Sequence, residues 1–339
     1  MNSDNSLDDI DYYFTKLQLL SQNVWDYACE RPQINKWLSQ FNGQVLTSEE
    51  EQKYMICALS KFMYFSQRMV REMLISLYRD YVRSSIIQKI RKENSDTRDL
   101  ENLNGLYQQD LKNTLFIGVG NPAESGAHLL YIFRQVNDLE KDLFSDLHGA
   151  FDIKSSQDGD IPNWTLREKY SNVKRLIFFD DFVGGGTQAS RYLAKPFLSI
   201  RKNYPSLEIT FISLFSTTDG LKRLNEPSIF DGKAICLFEL DETFKSCSEK
   251  SRYFEHTKEW FEIEKFKSIV QHYGNDLYPD GPLGHSNCEL LIGFSHNTPN
   301  NTLPVFWKNG YTTDNTIWHP IFARFDKNYG LGVKKNGKV

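Results

Sequence analysis

Apolar residues recur along this chain with two different periods. Up to about residue 95, Leu7, Ile10, Tyr13, Phe14, Leu17 and Leu20, and later Met55, Leu59, Phe62, Met63, Val70, Met73, Leu74, Leu77, Tyr81 and Val82, return at steps of three and four. That is the spacing of a buried helical face. Ser48 and Glu51 have the form of a capping box, and no Gly or Pro interrupts the run from there to Lys92, so one long helix, or two joined by a tight kink, is expected. The stretch 91–105 is polar and charged and makes the best domain boundary. After it the pattern changes to short apolar runs at 115–119, 176–179, 207–215 and 234–240, with helical segments at 128–133, 189–200 and 221–224. The repeated order of strand, loop and helix predicts an α/β domain with a parallel sheet behind an N-terminal helical region. In the last third, residues 254–272 carry aromatic and charged side chains at helical spacing, 279–284 are rich in turn residues, and 289–294 read as an apolar strand.

The chemistry concentrates in residues 175–193, RLIFFDDFVGGGTQASRYL. A four-residue apolar strand ends there in Asp180 and Asp181. Two carboxylates at the carboxyl end of a strand cannot both be buried unpaired, which suits sugar hydroxyls, a hydrated metal or a basic partner. Gly184, Gly185 and Gly186 let the backbone approach a ligand with its N–H groups, the helix start behind them adds partial positive charge, and Thr187 offers a hydroxyl. Such a loop suits a phosphate. The same residues also describe an ordinary turn with Thr187 as N-cap. Residues 114–133, TLFIGVGNPAESGAHLLYIF, form a second strand, loop and helix unit, and in a parallel sheet both loops lie at the carboxyl edge where open α/β folds bind ligands.

Other polar segments are less decisive. The loop 216–220, STTDG, meets a base or second substrate, or is simply capped by Thr218 and Asp219, the preferred reading. Within 140–174 the available cations are Lys154, Arg167, Lys169 and Lys174, read mainly as solvated surface. His296, Asn297, Asn300 and Asn301 crowd around Pro299 beside Val305, Phe306 and Trp307. They either build turns or form a base or acceptor pocket.

Composition limits the alternatives. With 339 residues, 40% hydrophobic and 14% aromatic, the chain can build a sizeable core. A net charge of −4 gives no general footprint for nucleic acid or an anionic membrane. The five cysteines, Cys29, Cys57, Cys236, Cys247 and Cys288, lack CxxC spacing and are odd in number, as expected of reduced thiols. The acidic, polar N-terminus is unlike a signal peptide, and no apolar run reaches membrane-spanning length. A cytoplasmic protein is expected.

The segment around Asp180 resembles the phosphoribosyl pyrophosphate (PRPP) motif of type I phosphoribosyltransferases. The resemblance implies that Asp180 and Asp181 hold the ribose hydroxyls, touching Mg²⁺ only through the ligand, while Gly184, Gly185, Gly186, Thr187 and Gln188 wrap the 5-phosphate. Gly184 stands where the family more often has Thr, so one side-chain donor is missing. Residues 122–126, PAESG, resemble the pyrophosphate loop, and imply pyrophosphate contacts from backbone N–H groups of Glu124, Ser125 and Gly126. The family carries a mobile loop or hood where this chain has 140–174, without a convincing match to its basic catalytic loop. The resemblance implies a type I phosphoribosyltransferase-like core over 101–326, after a helical region at 1–100 and before a basic tail at 327–339. The tail segment SHNTPNNTLPVFW resembles phosphoribosyltransferase-like proteins of bacterial conflict systems, including those encoded beside retron reverse transcriptases. That implies an antiphage-defence effector under control of partner proteins from the same locus, meeting nucleic acid only through partners, with homo-oligomerisation left open. The expected function is transfer of phosphoribose from PRPP with Mg²⁺ to an unidentified acceptor. The alternative is a non-catalytic regulator that binds PRPP or a related nucleotide, and a metal-dependent phosphotransferase or nuclease built on the Asp pair ranks last.

Overall fold

The strand that carries the two aspartates, Arg175–Val183, runs through the middle of a five-stranded parallel sheet. The structure is a computed structural model that describes residues 5–120, 125–155, 161–257, 259–312 and 315–325, so the tail at 327–339 lies outside the described residues. The chain divides into two compact units, Gln67–Phe244, and Met1–Ser66 with Lys245–Val339. The charged stretch 91–105 falls inside the first of these.

In the unit Gln67–Phe244 the elements are α1 (Gln67–Leu77), α2 (Ser84–Glu93), α3 (Leu100–Leu111), β1 (Thr114–Gly118), α4 (Ser125–Val136), β2 (Phe144–Ser145), β3 (Phe151–Lys154), β4 (Asn163–Leu166), β5 (Arg175–Val183), α5 (Thr187–Asn203), β6 (Glu208–Thr217), α6 (Thr218–Leu224) and β7 (Ala234–Leu240). The sheet order is β2-β1-β5-β6-β7, all parallel, and β3 with β4 form a separate antiparallel hairpin. This is the α/β architecture expected from the repeated apolar runs. Successive strand residues face opposite sides, and β5 uses both. Phe179 meets Phe133 of α4 at 5.4 Å, whereas Phe178 meets Phe197 of α5 at 5.2 Å. A sheet covered on both faces explains why these strands read as unbroken apolar runs.

Three boundaries differ from the sequence reading in this unit and its neighbour. No continuous helix spans 48–92. A helix Ser48–Leu59 ends at Ser60, and Met63–Phe65 then pairs in parallel with Ile292–Phe294. Met and aromatic residues in a row suit a strand, and Met63 N donates to Leu291 O at 2.9 Å. The capping box is one residue earlier than expected, Thr47 with Glu50. Glu51 is instead fully buried, accepting from Gly43 N, Val45 N, Leu46 N and the Tyr273 hydroxyl at 2.6–3.2 Å. The helix expected over 254–272 occupies Ile263–Leu277. Residues ahead of it satisfy their aromatic spacing by stacking, with Phe254 on Phe261 at 4.2 Å.

At the amino ends of β1, β5 and β6, the Arg175 side chain is only 8% exposed. It donates to Asp110 Oδ2 at 3.1 Å, Glu208 Oε2 at 3.1 Å and Thr114 Oγ1 at 2.9 Å. One guanidinium thus ties three strands and α3 at the edge opposite the glycine loop. Because Asp110 and Glu208 remain partly exposed, the loss on truncation is smaller than for a fully buried pair. Arg175→Ala is expected to lower unfolding stability by about 2 kcal/mol, read as a shifted urea midpoint; an unchanged midpoint would remove the clamp from this account.

Candidate functional site

The sheet order places a topological switch point between β1 and β5, because the chain leaves β1 toward β2 and returns to the other side through β5. Ligands of open α/β sheets sit in the crevice at such a point. Here the crevice has a specific cause. β1 pairs with β5 only from Thr114–Arg175 to Gly118–Phe179, ending with Val119 N donating to Phe179 O at 2.9 Å, whereas β6 follows β5 to Val183–Ser216. β5 does not end at Asp180, as its apolar run suggested, but continues to Val183 because its β6 partner is long. Asp180 and Asp181 therefore stand on a strand edge that β1 has already left.

Asp180 is half-buried and Asp181 buried. Asp180 Oδ1 accepts from Asp181 N at 2.9 Å. Across the crevice, α4 begins so close that a Cβ on Gly126 would lie 3.1 Å from Val119 O and 3.4 Å from Asp180 Oδ1. The structure thus brings together Asp180, from the expected ribose site, and Gly126, from the expected pyrophosphate loop. Glu124 lies outside the described residues, and Ser125 opens α4.

Beyond Val183, Gly184, Gly185 and Gly186 form a bend leading into α5. The N-cap is Gly186, in the left-handed conformation at φ +66, rather than Thr187, which is the first helical residue. Thr187 and Gln188 are exposed on the first turn. The first N–H groups of a helix have no intrahelical acceptor, and at the start of this 17-residue helix they face out of the loop with Thr187 beside them. Thr187 Oγ1 lies 3.5 Å from Gly185 O and accepts from Arg223.

A second glycine contact fixes the loop. A Cβ on Gly220 would lie 1.9 Å from Gly184 O, and one on Gly186 would lie 2.9 Å from Gly220 O. Thr217 Oγ1 donates to Gly184 O at 2.8 Å and accepts from Gly220 N at 3.0 Å. The cap of α6 is thus Thr217, one residue before the expected Thr218 and Asp219, and it serves the glycine loop as well. Thr218 donates to Glu239 Oε1 at 2.7 Å.

The remaining candidates lie apart in the chain's organisation. His296, Asn297, Asn300 and Asn301 belong to the other unit. There Asn297 Oδ1 accepts from Thr298 N and Phe325 N, Asn301 Nδ2 donates to His285 O and Cys288 Sγ, Asn300 O accepts from His285 N, and His296 stacks on Phe294 at 5.3 Å. These are the bonds of a turn-rich segment. In 140–174, Arg167 pairs with Asp152 at 3.3 Å and donates to His148 O, and Lys169 lies over the Tyr170 ring at 4.5 Å. Lys169 and Tyr170 also line a 410 Å³ cleft with Gly118, Gly120, Arg134 and Lys141. All five cysteines are free thiols. Burial pushes the pKa of Cys29 up to about 12 and that of Cys236 up to about 11, so neither is a thiolate nucleophile near neutral pH. No helix among the described residues is long and apolar enough to cross a membrane.

The PRTase-CE family model matches residues 34–324. The chain belongs to the PRTase-CE family. It is therefore a phosphoribosyltransferase-like protein, and the match covers both compact units. Among solved structures, this PRTase-CE protein is similar to the xanthine-guanine-hypoxanthine phosphoribosyltransferase of Helicobacter pylori, at 12% identity and a TM-score of 0.26, over 53% of this chain and 86% of that one. It is similar to the orotate phosphoribosyltransferase of Aeropyrum pernix at 15% identity and 0.24, over 39% and 64%, and to the AQ2163 protein of Aquifex aeolicus at 14% and 0.25, over 62% and 83%. Likeness at that level does not bear on individual site residues. No curated protein matches.

The backbone contact between Gly220 and Gly184 leaves no room for a side chain. Gly220→Ala is expected to cost about 3 kcal/mol and to displace the glycine loop. Gly232, at φ +73 with open space around it, is the control, and its alanine variant costs only the left-handed penalty of about 1 kcal/mol. Thermal unfolding checks both, and equal losses would mean that the contact does not matter.

Proposed function

We propose that the protein is a phosphoribosyltransferase-like enzyme that binds PRPP in the crevice between β1 and β5 and transfers its phosphoribosyl group to an acceptor. The observation that carries this is the approach of Gly126 to Asp180 Oδ1, which sets the start of α4 against the first acid of the pair. In this reading the glycine loop and Thr187 hold the 5-phosphate, and Gln188 lies at its rim. Asp180 and Asp181 accept from the ribose hydroxyls, and backbone N–H groups of Glu124, Ser125 and Gly126 hold the pyrophosphate.

Among the described residues no group of three or more His, Cys, Asp or Glu is placed to hold a metal. Mg²⁺ readily takes most of its shell from substrate phosphates and water, and Asp180 and Asp181, accepting from the ribose hydroxyls, would touch it only through the ligand. Bound with PRPP, it would neutralise charge on the pyrophosphate. The bond from C1 to the pyrophosphate oxygen breaks with its electron pair leaving on pyrophosphate, the lone pair of the acceptor forms the new bond to C1, and the acceptor's proton passes to solvent. Positive charge grows on the ribose ring and negative charge on the leaving group. Carboxylates near the sugar and N–H donors near the pyrophosphate each match that change.

One observation favours a second reading, a regulator that binds PRPP or a related nucleotide without turning it over. Arg167, one of the cations in the region of the family's basic loop, is engaged by Asp152 and His148. A role as an antiphage-defence effector under control of partner proteins from its locus is supported by the resemblance of residues 295–307 alone.

Replacing both acids, Asp180→Asn with Asp181→Asn, is expected to keep the unfolding transition and to reduce pyrophosphate release from PRPP and Mg²⁺ at least about 100-fold. Calorimetric titration on the same sample separates the two readings: binding without release identifies the regulator. Release that survives the double substitution would contradict the assignment of the acid pair.

A further inference from the structure

The glycine loop has a charged neighbour that its own sequence does not announce. Arg223 is an exposed residue in the last turn of α6, and its Nη1 donates to Thr187 Oγ1. Its stem crosses Gly186, where an added Cβ would lie 3.4 Å from Arg223 Cβ and 3.5 Å from Arg223 Cδ. The helix that carries it cannot drift, because Gly220 sits on the Gly184 carbonyl and Thr217 is bonded to the same oxygen. The backbone of Arg223 is therefore held beside the start of α5, with its stem against Gly186.

Its partner there is a neutral hydroxyl. A guanidinium so placed has further N–H groups in a planar fork, a geometry that matches two oxygens of a phosphate. The loop itself supplies backbone N–H groups and one hydroxyl, and Gly184 contributes no side-chain donor. A phosphate monoester carries close to two negative charges at neutral pH, which amide dipoles alone balance poorly.

We infer that Arg223 is the cation of this phosphate cradle: held at the start of α5 by Thr187, it binds the terminal phosphate of the sugar ligand and restricts the site to 5-phosphorylated ribose. This rests on the reading that residues 184–188 hold that phosphate. It deepens that reading by naming the group that selects the ligand class. Thr187 has a double role, donating to the phosphate when the ligand is present and orienting Arg223 in either state.

The test is calorimetric titration of PRPP with Mg²⁺, ribose 5-phosphate and ribose into the full chain, into Arg223→Met, which keeps the stem over Gly186, and into Arg223→Lys. For Arg223→Met the expected result is about a 10- to 100-fold loss of affinity for both phosphorylated ligands, an unchanged thermal transition, and a weaker dependence of binding on salt. Arg223→Lys is expected to recover part of the loss, since it restores the charge but not the fork. Ribose 5-phosphate and PRPP bound by Arg223→Met within about twofold of the unsubstituted chain would overturn the inference while leaving the phosphate loop in place. An unsubstituted chain that binds neither phosphorylated ligand, or binds ribose as well as ribose 5-phosphate, would overturn the loop reading and this inference with it.

Discussion

The site depends on a mismatch in strand length. β5 is held on one side by β1 for five residues and on the other by β6 to its end. The carboxyl end of β5 is therefore rigid, being paired to β6, and also open, since β1 has turned away. Polar side chains placed there are positioned by a strand rather than by a loop. In the proposed function that rigidity matters, because carboxylates that match a growing positive charge act best when they need not reorganise. The Arg175 clamp at the opposite edge holds the amino ends of the same strands in register, so the geometry at the carboxyl edge follows from the register of the sheet.

The second constraint is backbone against backbone. Gly184, Gly186 and Gly220 meet where side chains have no room, and the bond from Thr217 to Gly184 O closes the contact. The loop is thus held in one shape at the start of α5. Two consecutive strand–loop–helix units share this joint, so that the glycine loop after β5 and the helix after β6 form one surface. This is how Arg223 comes to stand beside a loop 36 residues away.

Local patterns are legible in the sequence, and their partners are not. The runs at 115–119, 207–215 and 234–240 correspond to strands close to those observed, and the order of acids, glycines and Thr187 marks the loop by itself. The end of β5 is hidden from such a reading because its last residues, Asp180 to Val183, are strand only through pairing with β6. Thr217 caps α6 although Thr218 and Asp219 look equally suited, because only Thr217 also reaches Gly184 O. The break after Ser60 is hidden for the same reason, since Met63–Phe65 is a strand only opposite Ile292–Phe294. Arg223 leaves no local signal. Only the adjacency of β5 and β6 in the sheet points to it.

The most direct test of the central claim, that the crevice between β1 and β5 holds a phosphorylated ribose, is amide hydrogen exchange with and without PRPP and Mg²⁺. The first N–H groups of a helix lack intrahelical acceptors, and fast exchange is the expected behaviour at such a helix start in the free protein. Slowed exchange at 184–190 and at 217–224, with no change at the clamped amino ends of β5 and β6, is the predicted result. Unchanged exchange at 184–190 under conditions where PRPP binds would place the ligand elsewhere and contradict the account.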